Sequence, residues 1–552
     1  MNNWYPEADL VIKHPKIYTV ALTIEEIKAG KRDFPIIDDG AVAVKGGKII
    51  AVCKASEADE YCGKNTNVID ASGKVLIPGF CESHMHCTWT GNGLRNIDFR
   101  PVLKRAEALE LVKEKAASLS KGEWFEGNSW NELLWDDPRM ITCRELDQVA
   151  PDNPCFHMRL CFHVAMVNSA ALRAAGITRD TPDPEGGRIG HYDDGEPNGI
   201  LYENSAMGLV QDVIPPLTAE QRVESLEAVG HLLNSMGITS AIDANLNFDQ
   251  MRSYGEAYRE GRLFYRANLM FYLDSAYGNA ETHLRRLDEM DCVTGFGDDM
   301  LKLNGVKVTL DGIPATYTAC MREPYKTRPD YCGSSVWTAD EITKFVCKAQ
   351  EKGWQFGIHT IGDKATDMAL HAFEEANKIS PVWDRHHYII HYVFPHEDQF
   401  ETMRRLNISA AMQPTIVSEM GEAPLFYEEQ ANRNQSAGLM FKNGIICGGS
   451  SDSPVVSPDP IKGMYYAVTR IDMTSGKILG EESKVTPKEA LIMWTKNSAY
   501  FMHDENKLGS VEAGNLADMV IVDRDFLNGD IEDIKNTKVE TTFLGGKIVY
   551  QA

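Results

Sequence analysis

The chain has 552 residues, 43% of them apolar and 25% charged, which is typical of a folded globular protein and excludes a disordered or collagen-like chain. The formal net charge is −24, from 56 Lys and Arg against 80 Asp and Glu. Because such a charge repels phosphate backbones and anionic lipid surfaces, we expect no nucleic-acid partner.

The N-terminal sequence and the hydropathy of the chain indicate its cellular location. Residues 1–10 lack the basic flank and apolar run of a secretory signal, and no apolar run reaches the roughly 18 residues of a membrane span. We therefore expect a cytoplasmic protein with no membrane partner. Twelve cysteines are scattered between Cys53 and Cys447 without a CxxC pair, so we expect most of them to be reduced and buried.

Both ends of the chain read as short strands. The N-terminal runs are 9–13, 41–45, 48–52 and 67–70, and the Lys-Gly-Gly-Lys turn at 45–48 predicts a hairpin. Similar runs return at 517–523 and 542–550. We predict one small β-sandwich domain built from residues 1–77 and 476–552.

Between these ends, apolar β-like runs alternate with helix-like segments, which is typical of a parallel sheet covered by helices. Thr218 and Thr338 each begin a capping-box pattern ahead of a helix. Eight runs predict an α/β fold with a (β/α)8 TIM-like barrel over residues 78–475. These runs are 75–86, 237–245, 263–274, 301–312, 354–363, 386–394, 407–416 and 444–454.

The interval 88–217 is too long for one crossover between barrel strands. It contains Pro- and Gly-rich punctuation at 180–187. We predict that it is a subdomain inserted after the first barrel strand.

Two histidines near the end of the first barrel strand suggest a metal site. Side chains alternate along a strand, so His84 and His86 face the same side and can reach one ion. A His-x-His pair also occurs in proteins without a metal site. Further ligand residues on the other barrel strands are needed to favour metal binding.

Later runs end in residues that a hydrolytic metal site needs. Lys307, His359, His391 and Asp452 each follow an apolar run, at the strand ends where a barrel gathers its catalytic groups. Each has an ordinary explanation, such as a solvent-reaching lysine or an aspartate in a turn. Together, these four residues are better explained by an active site at the strand ends of the barrel than by core packing.

Motifs through nearly the whole chain resemble the metal-dependent amidohydrolase superfamily, specifically its YtcJ-like branch. The segments that carry the resemblance are 78–86, 307–312, 359–363, His391, 451–454, 154–159, His163 with 168–170, 183–187 and 509–518.

The resemblance implies a barrel with a binuclear metal centre, usually zinc, and a homodimeric enzyme acting on a small molecule. His84 and His86 would bind the more buried ion, and His359 and His391 the more exposed one. Lys307 would bridge the two ions once carboxylated by CO2. Asp452 would bind metal and carry the proton, while His163 and Asp311 are candidate substrate-binding residues.

Three departures from the family pattern are visible. Glu82 stands where Asp commonly precedes the His-x-His motif, and Ile390 stands where Glu commonly precedes His391. Cys161 and Phe162 replace the usual polar and Gly pair before His163, so for that histidine a substrate role and a structural role both stay open.

These residues predict a hydrolase of a non-peptide C–N bond, in an amide, cyclic amide or N-substituted formamide. A metal-activated hydroxide would attack the carbonyl carbon, with Asp452 shuttling the proton. A mononuclear deaminase on the same barrel is the nearest alternative, although 359–363 lacks the His-x-x-Glu acid of those enzymes.

A non-catalytic scaffold is a third alternative, disfavoured because every ligand position keeps a candidate. The substrate is not defined by the sequence. Five aromatic residues are candidates for either core or pocket lining: Trp89, Trp130, Trp135, Tyr317 and Phe426.

Overall fold

The computed structural model describes residues 6–159, 163–273, 275, 278–421 and 423–552, without the side chains of Asn204 and Ala315. The chain divides into two compact units, residues 91–225 and residues 1–90 together with 226–552. Each unit is described by itself.

The strands, in chain order, are β1 (Leu10–Lys13), β2 (Lys16–Tyr18), β3 (Ile36–Ile37), β4 (Gly40–Lys45), β5 (Lys48–Lys54), β6 (Asn67–Asp70), β7 (Val75–Pro78), β8 (Phe80–Met85), β9 (Ile97–Asp98), β10 (Phe125–Trp130), β11 (Cys155–Arg159), β12 (Val164–Val167), β13 (Arg188–His191), β14 (Pro197–Tyr202), β15 (Ile238–Leu246), β16 (Arg266–Leu273), β17 (Leu301–Thr309), β18 (Gln355–Thr360), β19 (Tyr388–His391), β20 (Ser409–Met412), β21 (Cys447–Gly449), β22 (Met519–Val522), β23 (Val539–Leu544) and β24 (Lys547–Gln551).

The α-helices are α1 (Ile24–Lys28), α2 (Cys87–Leu94), α3 (Arg105–Ala117), α4 (Cys143–Val149), α5 (Ser169–Ala174), α6 (Glu203–Gln211), α7 (Ala219–Ser235), α8 (Phe248–Arg259), α9 (Ala280–Glu289), α10 (Ala339–Lys352), α11 (Asp363–Ile379), α12 (Glu397–Leu406), α13 (Pro414–Glu419), α14 (Glu428–Arg433), α15 (Ala437–Lys442), α16 (Pro460–Thr469), α17 (Pro487–Ile492), α18 (Ser498–Phe501) and α19 (Ile531–Asn536).

Eight parallel strands form the barrel sheet, in the order β21-β20-β19-β18-β17-β16-β15-β8. The two edge strands are joined by a hydrogen bond from Ser83 Oγ to the carbonyl of Gly449 (3.0 Å). The loop after β21 adds a second one, from the Asp452 amide to the carbonyl of His84 (3.0 Å). The predicted (β/α)8 barrel is therefore confirmed, and each of the eight predicted runs overlaps one of its strands.

The first predicted strand, 75–86, is wrong as a single element. It is two strands, since β7 pairs with β22 and β2 in a terminal sheet, whereas β8 pairs with β15 in the barrel. The break falls at Gly79, where a Cβ atom would lie 2.4 Å from Thr239 Oγ1. Glycine is required there because the chain passes so close to the next barrel strand.

The two ends of the chain share one six-stranded sheet, in the order β24-β23-β22-β7-β2-β3. A four-stranded sheet, β5-β4-β1-β6, comes from the N-terminal segment alone. The predicted hairpin is confirmed in β4 and β5, with Gly46 and Gly47 at φ of 57° and 80°. These sheets fall in the same compact unit as the barrel, so the bounds of a separate sandwich domain stay a prediction.

The unit 91–225 contains its own six-stranded sheet, in the order β13-β14-β12-β11-β10-β9. Trp130 and Trp135 lie in its apolar core, and the indole nitrogen of Trp130 donates to the carbonyl of His157 (2.8 Å). These two aromatic candidates are therefore core residues.

Within the described ranges, no helix has the length and apolar character needed to cross a membrane. The eleven cysteines that the structure describes are all free thiols. Cys161 lies outside the described residues.

Candidate metal centre

His84 and His86 project from the end of β8, and their side chains are almost fully buried. The two rings lie 5.4 Å apart between centroids. The ring of His86 stacks on Trp89, at 4.4 Å, and the indole of Trp89 is 44% exposed. The alternation of the strand thus places both imidazoles on one side, as predicted.

Asp452 follows β21 and approaches both histidines. Its Oδ1 lies 3.1 Å from Nε2 of His84 and 3.1 Å from Nε2 of His86. The loop is held in place from β8, because the His86 amide donates to the carbonyl of Ser453 (2.8 Å). The non-glycine φ of 59° at Asp452 turns its carboxylate toward the histidines.

His391, the last residue of β19, completes this group. One ligand atom each from His84, His391 and Asp452 lies within 4.8 Å of the other two. Nδ1 of His391 lies 2.8 Å from Oε1 of Gln413, which can only accept, so Nδ1 carries the proton and Nε2 keeps its lone pair for an ion.

His359 and Lys307 lie beside this group on the neighbouring strands β18 and β17. The rings of His359 and His391 are 4.5 Å apart between centroids, and Nζ of Lys307 lies 5.8 Å from the ring centroid of Tyr272. Lys307 is buried, and the side chain of His359 is 13% exposed. Burial is the main cause that lowers the pKa of His84 and His359, and the nearby ammonium of Lys307 lowers both further.

Asp311 is buried just beyond β17, and backbone amides bind its carboxylate. It accepts from Ile361 (2.9 Å), Cys320 (2.8 Å) and Gly362 (2.8 Å). Its Oδ1 lies 4.0 Å from Nε2 of His359. The carboxylate therefore fixes the loop that follows His359, and its predicted role in substrate binding stays a prediction.

Several buried atoms at the centre have no hydrogen-bond partner among the described residues. They are both ring nitrogens of His84, Nδ1 of His86, Nε2 of His359 and Oδ1 of Asp452. Unpaired buried polar atoms are costly, and His84 and Asp452 approach to 3.1 Å without the geometry of a hydrogen bond. Imidazole nitrogens with a carboxylate are a ligand set that suits Zn²⁺, so these residues fit a divalent metal.

Burial keeps the histidines of the site neutral, whereas neighbouring imidazoles keep its aspartate charged. Burial lowers the pKa of His84, His359 and His391, which leaves the lone pairs that a metal needs. Burial also lowers the pKa of Lys307 to about 8. Burial alone would raise the pKa of Asp452, but the imidazoles of His84 and His86 hold it well below its usual range.

The two departures that lie on barrel strands are both fully buried. Oε1 of Glu82 accepts from the amides of His84 (3.2 Å) and Ser451 (3.0 Å), so this carboxyl ties β8 to the loop that carries Asp452. Burial raises the pKa of Glu82 to about 8. Ile390 is an apolar residue of β19, at 0% exposure.

The other candidates lie elsewhere. His163 belongs to the unit 91–225, is 62% exposed and has Nδ1 2.8 Å from Oε2 of Glu203. Its predicted substrate role is not tested by this position, and the preceding Cys161 and Phe162 lie outside the described residues. Phe426 is buried in an apolar cluster that also packs against the half-buried Tyr317.

Two supporting residues were missed in the sequence. Gln413 orients His391 and donates from Nε2 to Ser450 Oγ (2.8 Å). Asp243, in the second half of β15, accepts from the amide of Thr88 (3.0 Å) and from the hydroxyl of Tyr254 (2.8 Å). Asp243 could have been predicted from the sequence, because it is also a polar residue near the end of an apolar barrel run.

Known proteins resemble this chain over most of its length. The YtcJ protein of Bacillus subtilis (strain 168), named as an amidohydrolase, is 29% identical over 504 residues, which cover 89% of this chain and 92% of that protein. An N-substituted formamide deformylase of Arthrobacter pascens is 27% identical over 523 residues, covering 93% of this chain and 95% of that protein.

A solved structure shares the fold. An uncharacterized metal-dependent hydrolase from Pyrococcus furiosus superimposes with a TM-score of 0.74 at 27% identity, covering 94% of this chain and all of that one. The sequence model of the amidohydrolase family, Amidohydro_3, matches residues 67–550. The chain therefore belongs to the amidohydrolase family.

Proposed function

We propose that this amidohydrolase is a metal-dependent hydrolase that cleaves a non-peptide C–N bond, with N-substituted formamides and cyclic amides as the first substrates to test. The observation that carries the proposal is the buried group of His84, His86, His391 and Asp452, whose ligand atoms converge without bonding to one another. The formamide class is suggested by the activity named for the Arthrobacter relative.

The resemblance noted in the sequence leads us to assign two ions to the site. Zinc is the expected metal, and His84 and His86 would hold one ion while His359 and His391 would hold the other. A bound divalent ion supplies Lewis-acid chemistry, which makes water a stronger nucleophile at neutral pH and polarises a carbonyl group.

Lys307 would help to hold both ions once it has reacted with CO2. The uncharged amine attacks CO2, a C–N bond forms, and loss of one proton leaves a carbamate with two anionic oxygens. Since burial lowers the pKa of Lys307 to about 8, more of this amine is uncharged near neutral pH than for an exposed lysine.

Asp452 transfers a proton from the attacking water to the leaving group. Its Oδ1 faces the imidazoles of His84 and His86, so we assign the transferred proton to Oδ2. That atom takes the proton from the attacking water and delivers it to the departing nitrogen. Asp311 acts indirectly, by fixing the loop after His359.

A mononuclear centre is the second candidate. His84, His391 and Asp452 alone form a three-residue group within 4.8 Å, which is enough to hold one ion. In that arrangement Lys307 would stay a buried amine, and a deaminase becomes the matching activity.

The test is hydrolysis of a panel of N-substituted formamides and cyclic amides by the zinc-loaded enzyme. We expect activity that is lost on chelation and restored by Zn²⁺. Asp452→Asn should lower kcat by about 10² to 10⁴ because the proton shuttle is removed. Asp340→Asn, an exposed carboxylate of α10, should retain full activity. Unchanged turnover after chelation would refute the proposal.

A further inference from the structure

The unit 91–225 contains a cavity of its own, separate from the residues of the metal centre. Its volume is about 580 Å³, and every lining residue lies between Asn92 and Gln221. This is within the range of sites that bind small molecules. Much of the wall is apolar, and the contributing side chains include Leu119, Trp124, Ile214, Pro215 and Leu217.

One carboxylate in this wall has no counter-charge. Glu126 is the second residue of β10, paired in register with Phe156 of β11, and it is half-buried. Among the described residues, its carboxylate has neither a hydrogen bond nor an ion pair. Burial raises the pKa of Glu126, and no charged neighbour contributes to the shift.

The other charged groups of the cavity have neighbours of opposite charge within the protein. Arg95 pairs with Glu224. The carboxylate of Glu123 accepts from Nε2 of Gln221 (3.4 Å) and interacts electrostatically with the ammonium of Lys115. Arg95 and Lys115 also line the cavity, but neither contributes to the pKa shift of Glu126. The wall therefore has one uncompensated negative charge beside apolar and aromatic surface.

The fold gives no reason for a carboxylate at this position. Glutamate is disfavoured in strands, and a partly desolvated charge without a partner costs stability. A glutamine would occupy the same space without that cost. A ligand that carries a positive charge would supply the missing partner, and the indole of Trp124 offers a further surface that attracts cations.

We propose that this cavity binds a small organic cation, an ammonium group on an apolar or aromatic body, with the Glu126 carboxylate as its counter-ion. The inference is independent of the hydrolase function, because it uses no residue of the metal centre.

The experiment titrates full-length protein with benzylammonium chloride and, separately, with benzyl alcohol, at pH 7.5 and constant ionic strength, using calorimetry and ligand-observed NMR. We expect benzylammonium to bind at least about tenfold more tightly than the neutral alcohol, as a charge-assisted contact provides. Glu126→Gln should abolish this preference. Glu107→Gln, which removes an exposed carboxylate from α3, should preserve it.

A second measurement separates a binding role from a structural one. If Glu126 is an unpaired charge, Glu126→Gln should unfold at the same temperature as the parent or at a higher one. A lower midpoint would assign Glu126 to the fold and overturn the proposal. It would also be overturned by equal affinities for the two probes, by no binding in the millimolar range, or by benzylammonium binding that survives Glu126→Gln.

Discussion

Neighbouring side chains decide which nitrogen each histidine offers. At His391, Nδ1 donates to Oε1 of Gln413, and the amide of Gln413 is in turn fixed by its bond to Ser450 Oγ. This chain of hydrogen bonds sets the tautomer and the ring orientation of His391. Gln413 is therefore a positioning residue that has no need to contact the metal itself.

Replacing Gln413 tests this role. In Gln413→Leu, His391 loses its acceptor, so we expect metal affinity to fall by about 10- to 100-fold in a chelator competition assay. The matched control is Gln350→Leu, since Gln350 is also a buried glutamine bonded to a histidine, with Oε1 3.0 Å from Nε2 of His387. That control should cost stability while metal affinity is retained. Equal metal affinities in the two variants would contradict the assignment.

At the scale of elements, the end of β21 depends on close packing. A Cβ atom at Gly449 would lie 2.2 Å from the ring of Trp494, and one at Gly463 would lie 2.3 Å from the same ring. Trp494 belongs to a π-helical segment, Met493–Asn497, and is 1% exposed. The ring is enclosed, so it cannot move aside, and the loop that carries Asp452 begins beside it.

Gly449→Ala should therefore destabilise the protein by about 1 to 3 kcal/mol through overpacking. It should also weaken metal binding, because the displaced strand carries Asp452 with it. The matched control is Gly255→Ala in α8, where a Cβ meets nothing within 4 Å, and a gain of about 0.5 to 1 kcal/mol is expected. Denaturant unfolding measures the free energy of unfolding of both variants, and metal titration measures their metal affinity. A Gly449→Ala protein as stable as its parent would show that Trp494 has room to shift.

The sequence predicts elements well where a regular pattern exists. The period of a strand places His84 and His86 on one side, and the polar ends of apolar runs locate Lys307, His359 and Asp452. Patterns of this kind do not report close contacts between distant segments. For that reason the break at Gly79, the π-helical segment and the pairing of Gln413 with His391 emerge only from the structure.

At the scale of the whole molecule, buried histidines make stability depend on pH. Burial lowers the pKa of His157 and of His387 to about 3, and both are 0% exposed. Below about pH 6.5, the ordinary pKa of histidine, these residues are protonated in the unfolded chain but stay neutral in the folded protein. Their stabilising contribution is therefore complete above about pH 6.5 and is lost as the pH falls toward the folded value.

We expect the free energy of unfolding to fall between pH 7.5 and pH 5.0 by about 2 kcal/mol for each such histidine. His157 is a suitable residue to test, since it lies in the unit 91–225, and its ring nitrogens have no partner among the described residues. His157→Leu should show a pH dependence smaller by about that amount in urea unfolding. The same pH dependence in both proteins would contradict this origin.

The metal content of the intact enzyme distinguishes a binuclear centre from a mononuclear one and from a site without metal. The protein would be expressed with zinc and bicarbonate, purified without chelator and measured by plasma mass spectrometry. We expect about two metal ions per chain, because a centre that includes a carboxylated Lys307 would hold two. About one ion would remove Lys307 from the ligand set and favour the mononuclear alternative. No bound metal, even after reconstitution with Zn²⁺, would contradict the metal-dependent hydrolase itself.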